Sequence, residues 1–160
     1  MSERDIQGAF EAHAKFESAG PGAGYEPTAN DWEARASVED GAVTVTVRVP
    51  TLSAAVTEHD DVAAVVEDGW FETLELRLAD ATNVTRADVI DDPSVERTDG
   101  EVVFEATIDA RPGNAADDAL AVVNYVEGTW FEGIIPGYDY RPDVQDLRDR
   151  AAGNAQTDRL

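Results

Sequence analysis

The dipeptide Trp-Phe occurs twice in this chain, each time bracketed by glutamates at the same spacing. Val66, Glu67, Trp70, Phe71 and Glu72 recur as Val126, Glu127, Trp130, Phe131 and Glu132. Paired carboxyls beside bulky rings are what acid–base chemistry uses, because apolar surroundings raise a carboxyl's pKa. Gathered into one cleft, Glu67, Glu72, Glu127 and Glu132 would make a small carboxylate-based hydrolase or a ligand-binding enzyme. The competing reading buries the rings and turns the glutamates to water, and ordinary packing is the preferred one.

A second constellation points to binding. Trp130 and Phe131 are followed by Ile134, Ile135, Pro136, Gly137, Tyr138 and Tyr140. Trp and Tyr carry much of the energy at binding surfaces because they bury large areas and keep a polar handle. Trp130, Phe131, Tyr138 and Tyr140 are therefore the candidate contacts of a non-enzymatic binding or assembly module. A protein partner or a second copy of the chain is the expected occupant. Closure of the core by the same rings is the competing reading.

The remaining candidates carry less. Glu58-His59-Asp60-Asp61 has metal-ligating side chains, but neighbouring residues rarely reach one ion, and acids at a helix start cap amides and complement the dipole. Asp117-Asp118 has the same explanation. His13 lies on the apolar side of a helix with no visible partner to orient it as a base. Gly20, Gly22 and Gly24 follow a helix, the reverse of the strand–glycine–helix order of a phosphate loop. No P-loop, nucleophile elbow or His-Glu-x-x-His motif is present. The chain has no cysteine, which removes thiolate catalysis and thiolate metal sites. No metal, no cofactor and no catalytic residue is assigned, and enzymatic activity is not expected.

Charge bounds the partners. Thirty-four acidic residues against twelve basic give a formal net charge of −22, spread along all 160 residues. Nucleic acid is not an expected partner, since phosphate neutralisation needs clustered cations. Self-repulsion on this scale opposes compaction in dilute buffer and is relieved when the Debye length falls to about 3 Å near 1 M salt. Eleven of the basic residues are arginine and one, Lys15, is lysine. In this composition the chain resembles uncharacterised haloarchaeal domain-of-unknown-function proteins over most of its length. The resemblance implies a salt-adapted lineage and no activity. The charged Met-Ser-Glu-Arg-Asp start has no apolar h-region, and no apolar run reaches the ~20 residues of a membrane span, so a cytoplasmic location and no membrane contact are expected.

The elements that must position these residues follow from periodicity. Ser2 to Ser18 reads as an amphipathic helix with a Ser2/Asp5 capping box. The glycine-rich stretch after it reads as a linker. Trp32, Ala34, Ala36 and Val38, then Asp40-Gly41, then Val43, Val45, Val47 and Val49 predict a hairpin with a type I′ turn. A helix over about 60–67 and a strand over Thr73–Leu78 follow. Asp99-Gly100 marks a second hairpin, continued by Val102, Phe104, Ala106 and Ile108, and a helix with Ala119, Val122, Val123, Val126 and Trp130 on its buried face. Pro142 to Ala152 forms a short helix before a frayed tail.

The spacing predicts an α+β fold of two layers, an antiparallel sheet of about five strands with helices on one face. Gly100 follows Gly41 by 59 positions and Trp130 follows Trp70 by 60, which implies a duplicated hairpin-plus-helix unit. The expected organisation is an N-terminal helix over 1–20, one domain over 25–141 with repeats at about 32–79 and 94–135, and a helix and tail over 142–160.

Overall fold

The computed structural model describes residues 3–158 apart from Pro112, with side chains described as far as residue 152. Helix α1 (Glu3–Ala12) leads into two short strands, β1 (Phe16–Ser18) and β2 (Tyr25–Pro27). Strands β3 (Glu33–Glu39) and β4 (Ala42–Pro50) form the first long hairpin. A one-turn helix α2 (Leu52–Ala55), helix α3 (Ala64–Leu78) and a 3-10 turn over Ala81–Val84 follow. Strands β5 (Val89–Thr98) and β6 (Glu101–Asp109) form the second hairpin, and helices α4 (Ala115–Glu132) and α5 (Pro142–Asp158) close the chain. The fold is α+β, with one open six-stranded sheet in the order β1-β2-β3-β4-β6-β5 and every neighbouring pair antiparallel.

Alternation builds the layers. Val43, Val45, Val47 and Val49 of β4 are buried, as are Val102, Phe104, Ala106 and Ile108 of β6. Successive strand residues point to opposite faces, so these valines and their partners form one apolar surface. Helix α4 lies against it over β4 and buries Ala119, Val122, Val123, Val126 and Trp130. The opposite face is polar: Arg35 pairs with Glu26 and Arg48 with Glu101, each at 3.0 Å, and the Thr44 and Thr107 hydroxyls meet at 2.9 Å. The two hairpins join through β4 and β6, with Thr46 opposite Glu105 at the centre of the register.

Turn chemistry fixes the hairpins. Asp40 and Gly41 both take positive φ, 50° and 78°, as a type I′ turn requires. At the second hairpin only Gly100 does so, so its turn is of another type. Strand β5 is an outer edge, carries Pro93, and shifts register against β6 twice, between Val89 and Asp91 and between Asp91 and Ser94.

Several expectations are corrected. The strand expected over Thr73–Leu78 is the second half of α3, whose buried residues Trp70, Leu74 and Leu78 are spaced by four, while Leu76 is 75% exposed. Leucine, glutamate and arginine are strong helix formers, and the i, i+4 pattern prevails over the accidental alternation. The sheet has six strands because residues 16–18 and 25–27 pair as a small hairpin. Gly24 sits at φ +81° so close to the Ala36 carbonyl that a Cβ would come within 2.5 Å of it. The first helix ends at Ala12, and Phe10 then stacks on Tyr25 with centroids 5.0 Å apart. The last helix runs to Asp158. The Ser2 cap and the break at Pro112 lie outside the described residues.

Candidate functional site

The segment Asn30-Asp31-Trp32 reaches β3 across the C-terminal half of α4, and α5 passes alongside. Between them lies a cleft of about 320 Å³ lined by Asp31, Trp32, Glu127, Phe131 and Arg150, with Asn124, Gly128, Leu147 and Ala151 completing its walls. The Trp32 ring meets buried Trp130 edge-on, with centroids 5.0 Å apart. Trp130 is itself fixed by its indole N–H, which donates to the Pro50 carbonyl at 2.8 Å. The aromatic wall of the cleft thus stands on the core.

Glu127 holds the segment in place. Its Oε2 accepts the backbone N–H of Trp32 at 2.8 Å, and the Asn30 side-chain amide donates to the Trp32 carbonyl. Burial pushes the Glu127 carboxyl above the ordinary glutamate range. The backbone N–H groups of Trp32 and Asp31 pull it down, the Asp31 charge adds to the rise, and the Asn30 amide again lowers it. Desolvation is the largest of these causes because the ionised form loses water on two sides. At the rim, Asp31 accepts from Arg150 at 3.0 Å. Gly128 faces open space, with no atom within 4 Å of where a Cβ would stand.

The other glutamates lie elsewhere. Glu67 accepts the Ser53 N–H at 3.0 Å and stands 3.9 Å from Arg97, which pairs with Asp68 at 2.9 Å and lies over the Phe71 ring. Glu72 is exposed, and Glu132 is exposed 3.9 Å from Arg77. Glu67 and Glu127 line different depressions. The two signature tryptophans do not share a pocket either. Trp70 lines an apolar groove with Val66, Gly133 and Ile135, whereas Trp130 is 1% exposed beneath Trp32.

The aromatic quartet divides. Trp130 is buried and Phe131 lines the cleft, half-buried. Tyr140, in the segment that joins α4 to α5, is buried, donates its hydroxyl to the Ile135 carbonyl, forms a bridge to Val56 and carries Arg148 over its ring at 5.4 Å. Tyr138 is half-buried against it, centroids 6.4 Å apart. No ring contact joins Phe131 to either tyrosine among the described residues.

The lesser candidates have structural partners. Asp60 accepts the Asp139 N–H at 2.7 Å and the Asp61 N–H at 3.0 Å, tying the loop before α3 to the one before α5. Among the described residues no group of three or more His, Asp or Glu side chains could hold a metal ion. His13 Nδ1 accepts the Lys15 N–H at 3.1 Å, so Nε2 carries the proton it donates to Asp117 at 2.8 Å. With both nitrogens engaged, His13 clamps α1 to α4. Asp118 is buried in a two-pronged bond to Arg111, at 2.9 and 2.6 Å. The glycines at 20, 22 and 24 form the β1–β2 turn.

Sequence reasoning reached Glu127 and Phe131 but not Asn30, Asp31, Gly128 or Arg150. Gly128 left a signal, being a glycine inside a strong helical pattern where alanine would be favoured. Asp31 and Arg150 left none, because 119 positions separate them.

Among the described residues no helix is long and apolar enough to cross a membrane. No curated protein and no solved structure matches the chain. A model described as a family of unknown function, DUF5813, matches residues 11–150, and the chain belongs to that family.

Proposed function

We propose that this chain is a non-enzymatic binding module whose ligand site is the cleft formed by Trp32, Glu127 and Phe131. One observation carries the reading: a half-buried carboxyl is spent on holding the backbone of Trp32, so that an aromatic wall is fixed beside open space. Rigid placement of a ring before the ligand arrives lowers the ordering cost of binding. Phe131 supplies the second ring, and Trp130 supports the site from below. Tyr138 and Tyr140 serve to seat α5, which forms one side of the cleft. The test is Gly128→Leu, which projects bulk into the cleft from a helix that gains about 1 kcal/mol on losing glycine. It is expected to abolish capture of ligand or partner at unchanged or raised melting temperature. Retention of binding by the variant would overturn the assignment.

A second reading places carboxylate hydrolysis in the same cleft. It is favoured by the Glu127 carboxyl, raised by burial, standing in the same cleft as a second carboxyl, Asp31. Turnover of chromogenic esters or glycosides that vanishes in Glu127→Gln would support it. Turnover unaffected by that change would remove it.

We also propose that the two hairpins descend from one duplicated unit. In support, Thr46 and Glu105 stand opposite each other and differ by 59 positions, the spacing of Gly41 and Gly100. The helices depart from the symmetry, α4 lying on β4 while α3 contacts β5. A 59–60-residue internal period across other members of the family is expected. The polyanionic composition supports a salt-adapted, cytoplasmic setting, with a protein partner or a second copy among the possible occupants of the cleft.

A further inference from the structure

We infer that the cleft takes a guanidinium group, which stacks against Trp32 and Phe131 and pairs with Asp31, displacing the chain's own Arg150. This inference rests on the cleft being a binding site. Its ionisable lining consists of two carboxyl groups and one cation, Arg150, and that cation already occupies Asp31 at 3.0 Å. The chain therefore displays one guanidinium seated at the rim. Its hold is weak, since the Arg150 side chain is 65% exposed and the Asp31 side chain 39%. Pairs this open contribute about 0–1 kcal/mol and exchange readily.

A ligand guanidinium entering from solvent would gain what Arg150 lacks. It would be desolvated against the Trp32 and Phe131 rings that line the cleft, where cation–π attraction strengthens. Its planar fork matches a carboxylate with two parallel bonds. The unfilled space above Gly128 accommodates the stem that carries it. Anions are disfavoured by Asp31, by any ionised Glu127 and by a chain of net charge −22. Glu127 supports the same preference. Its carboxyl, raised by burial and flanked by Asp31 and Arg150 as the charged groups of the cleft, gains a favourable partner for its ionised form when a cation replaces water.

The group can reside on a free small molecule or on an arginine of a partner protein. The test follows the Trp32 indole resonance in 1 M KCl during titration with butylguanidinium, its neutral isostere butylurea, butyrate, and an N-acetylated, amidated Gly-Arg-Gly peptide. Butylguanidinium or the peptide is expected to shift it and the neutral and anionic probes to leave it in place. Tighter binding by the peptide identifies an arginine partner, and tighter binding by butylguanidinium a free ligand. Asp31→Asn is expected to weaken binding at least tenfold, and Arg150→Ala to tighten it several-fold by removing the competitor. Equal shifts with butylurea or butyrate, or unchanged affinity in Arg150→Ala, would overturn the guanidinium assignment and leave the cleft as a binding site. If no probe moves the resonance, both fall.

Discussion

The backbone N–H of Trp32 and the carboxylate of Glu127, 95 positions apart in the chain, meet at 2.8 Å. That single bond ties the segment leading into β3 to α4. It also makes stability depend on pH. Glu127 is raised in the fold, so ionisation opposes folding. Stability is complete below the ordinary glutamate pKa and declines as pH rises through the raised value. Glu127→Gln keeps an acceptor for Trp32 without the charge. Thermal melts are expected to show the variant more stable than the parent at pH 8, with the difference vanishing below the ordinary glutamate pKa. A parent that is the more stable of the two at pH 8 contradicts this.

Trp130 is the keystone of the aromatic stack. Trp130→Ala is expected to cost about 3–5 kcal/mol, the usual range for emptying a buried tryptophan site. Trp130→Phe keeps a ring but leaves the Pro50 carbonyl without its donor, at about 1–3 kcal/mol. Urea denaturation distinguishes the two, and a Trp130→Phe variant as stable as the parent would mean that the indole N–H contributes nothing.

Asp118 is buried and Arg111 is its partner. Arg111→Ala leaves an uncompensated carboxylate and is expected to destabilise the fold, by less than for a fully buried pair because Arg111 is one-third exposed. Arg111→Ala combined with Asp118→Ala is expected to recover part of that loss. A double-mutant cycle with no recovery would show that the pair acts independently.

Salt tests the charge argument. Between 10 mM and 1 M KCl the screening length falls from about 30 Å to about 3 Å. With a formal charge of −22, the melting temperature is expected to rise by several degrees over that interval. An unchanged melting temperature would show that self-repulsion is not what limits stability.

The hairpins were legible because period-two alternation and an Asp-Gly turn act locally. Val43 to Val49 needed no tertiary information to be read as a half-buried strand. The stretch Thr73–Leu78 was misread because Leu74, Leu76 and Leu78 satisfy both a strand alternation and, through Trp70, Leu74 and Leu78, a helical i, i+4 stripe. Only the exposure of Leu76 separates them. β1 and β2 are three residues each, too short for a period, and β2 joins β3 where Gly24 approaches Ala36. At the site, Glu127 and Phe131 stood out by repetition. Asp31 and Arg150 meet only through the packing of α5, which no local pattern encodes.

An open sheet has two outer edges, and β5 is the longer of them. In concentrated electrolyte, mutual repulsion between molecules no longer keeps such edges apart. Pro93 removes a donor from this one, and the two register shifts bend it away from the flat template that another strand would need. Protection against fibre growth is thus built into backbone shape, where dissolved ions cannot cancel it.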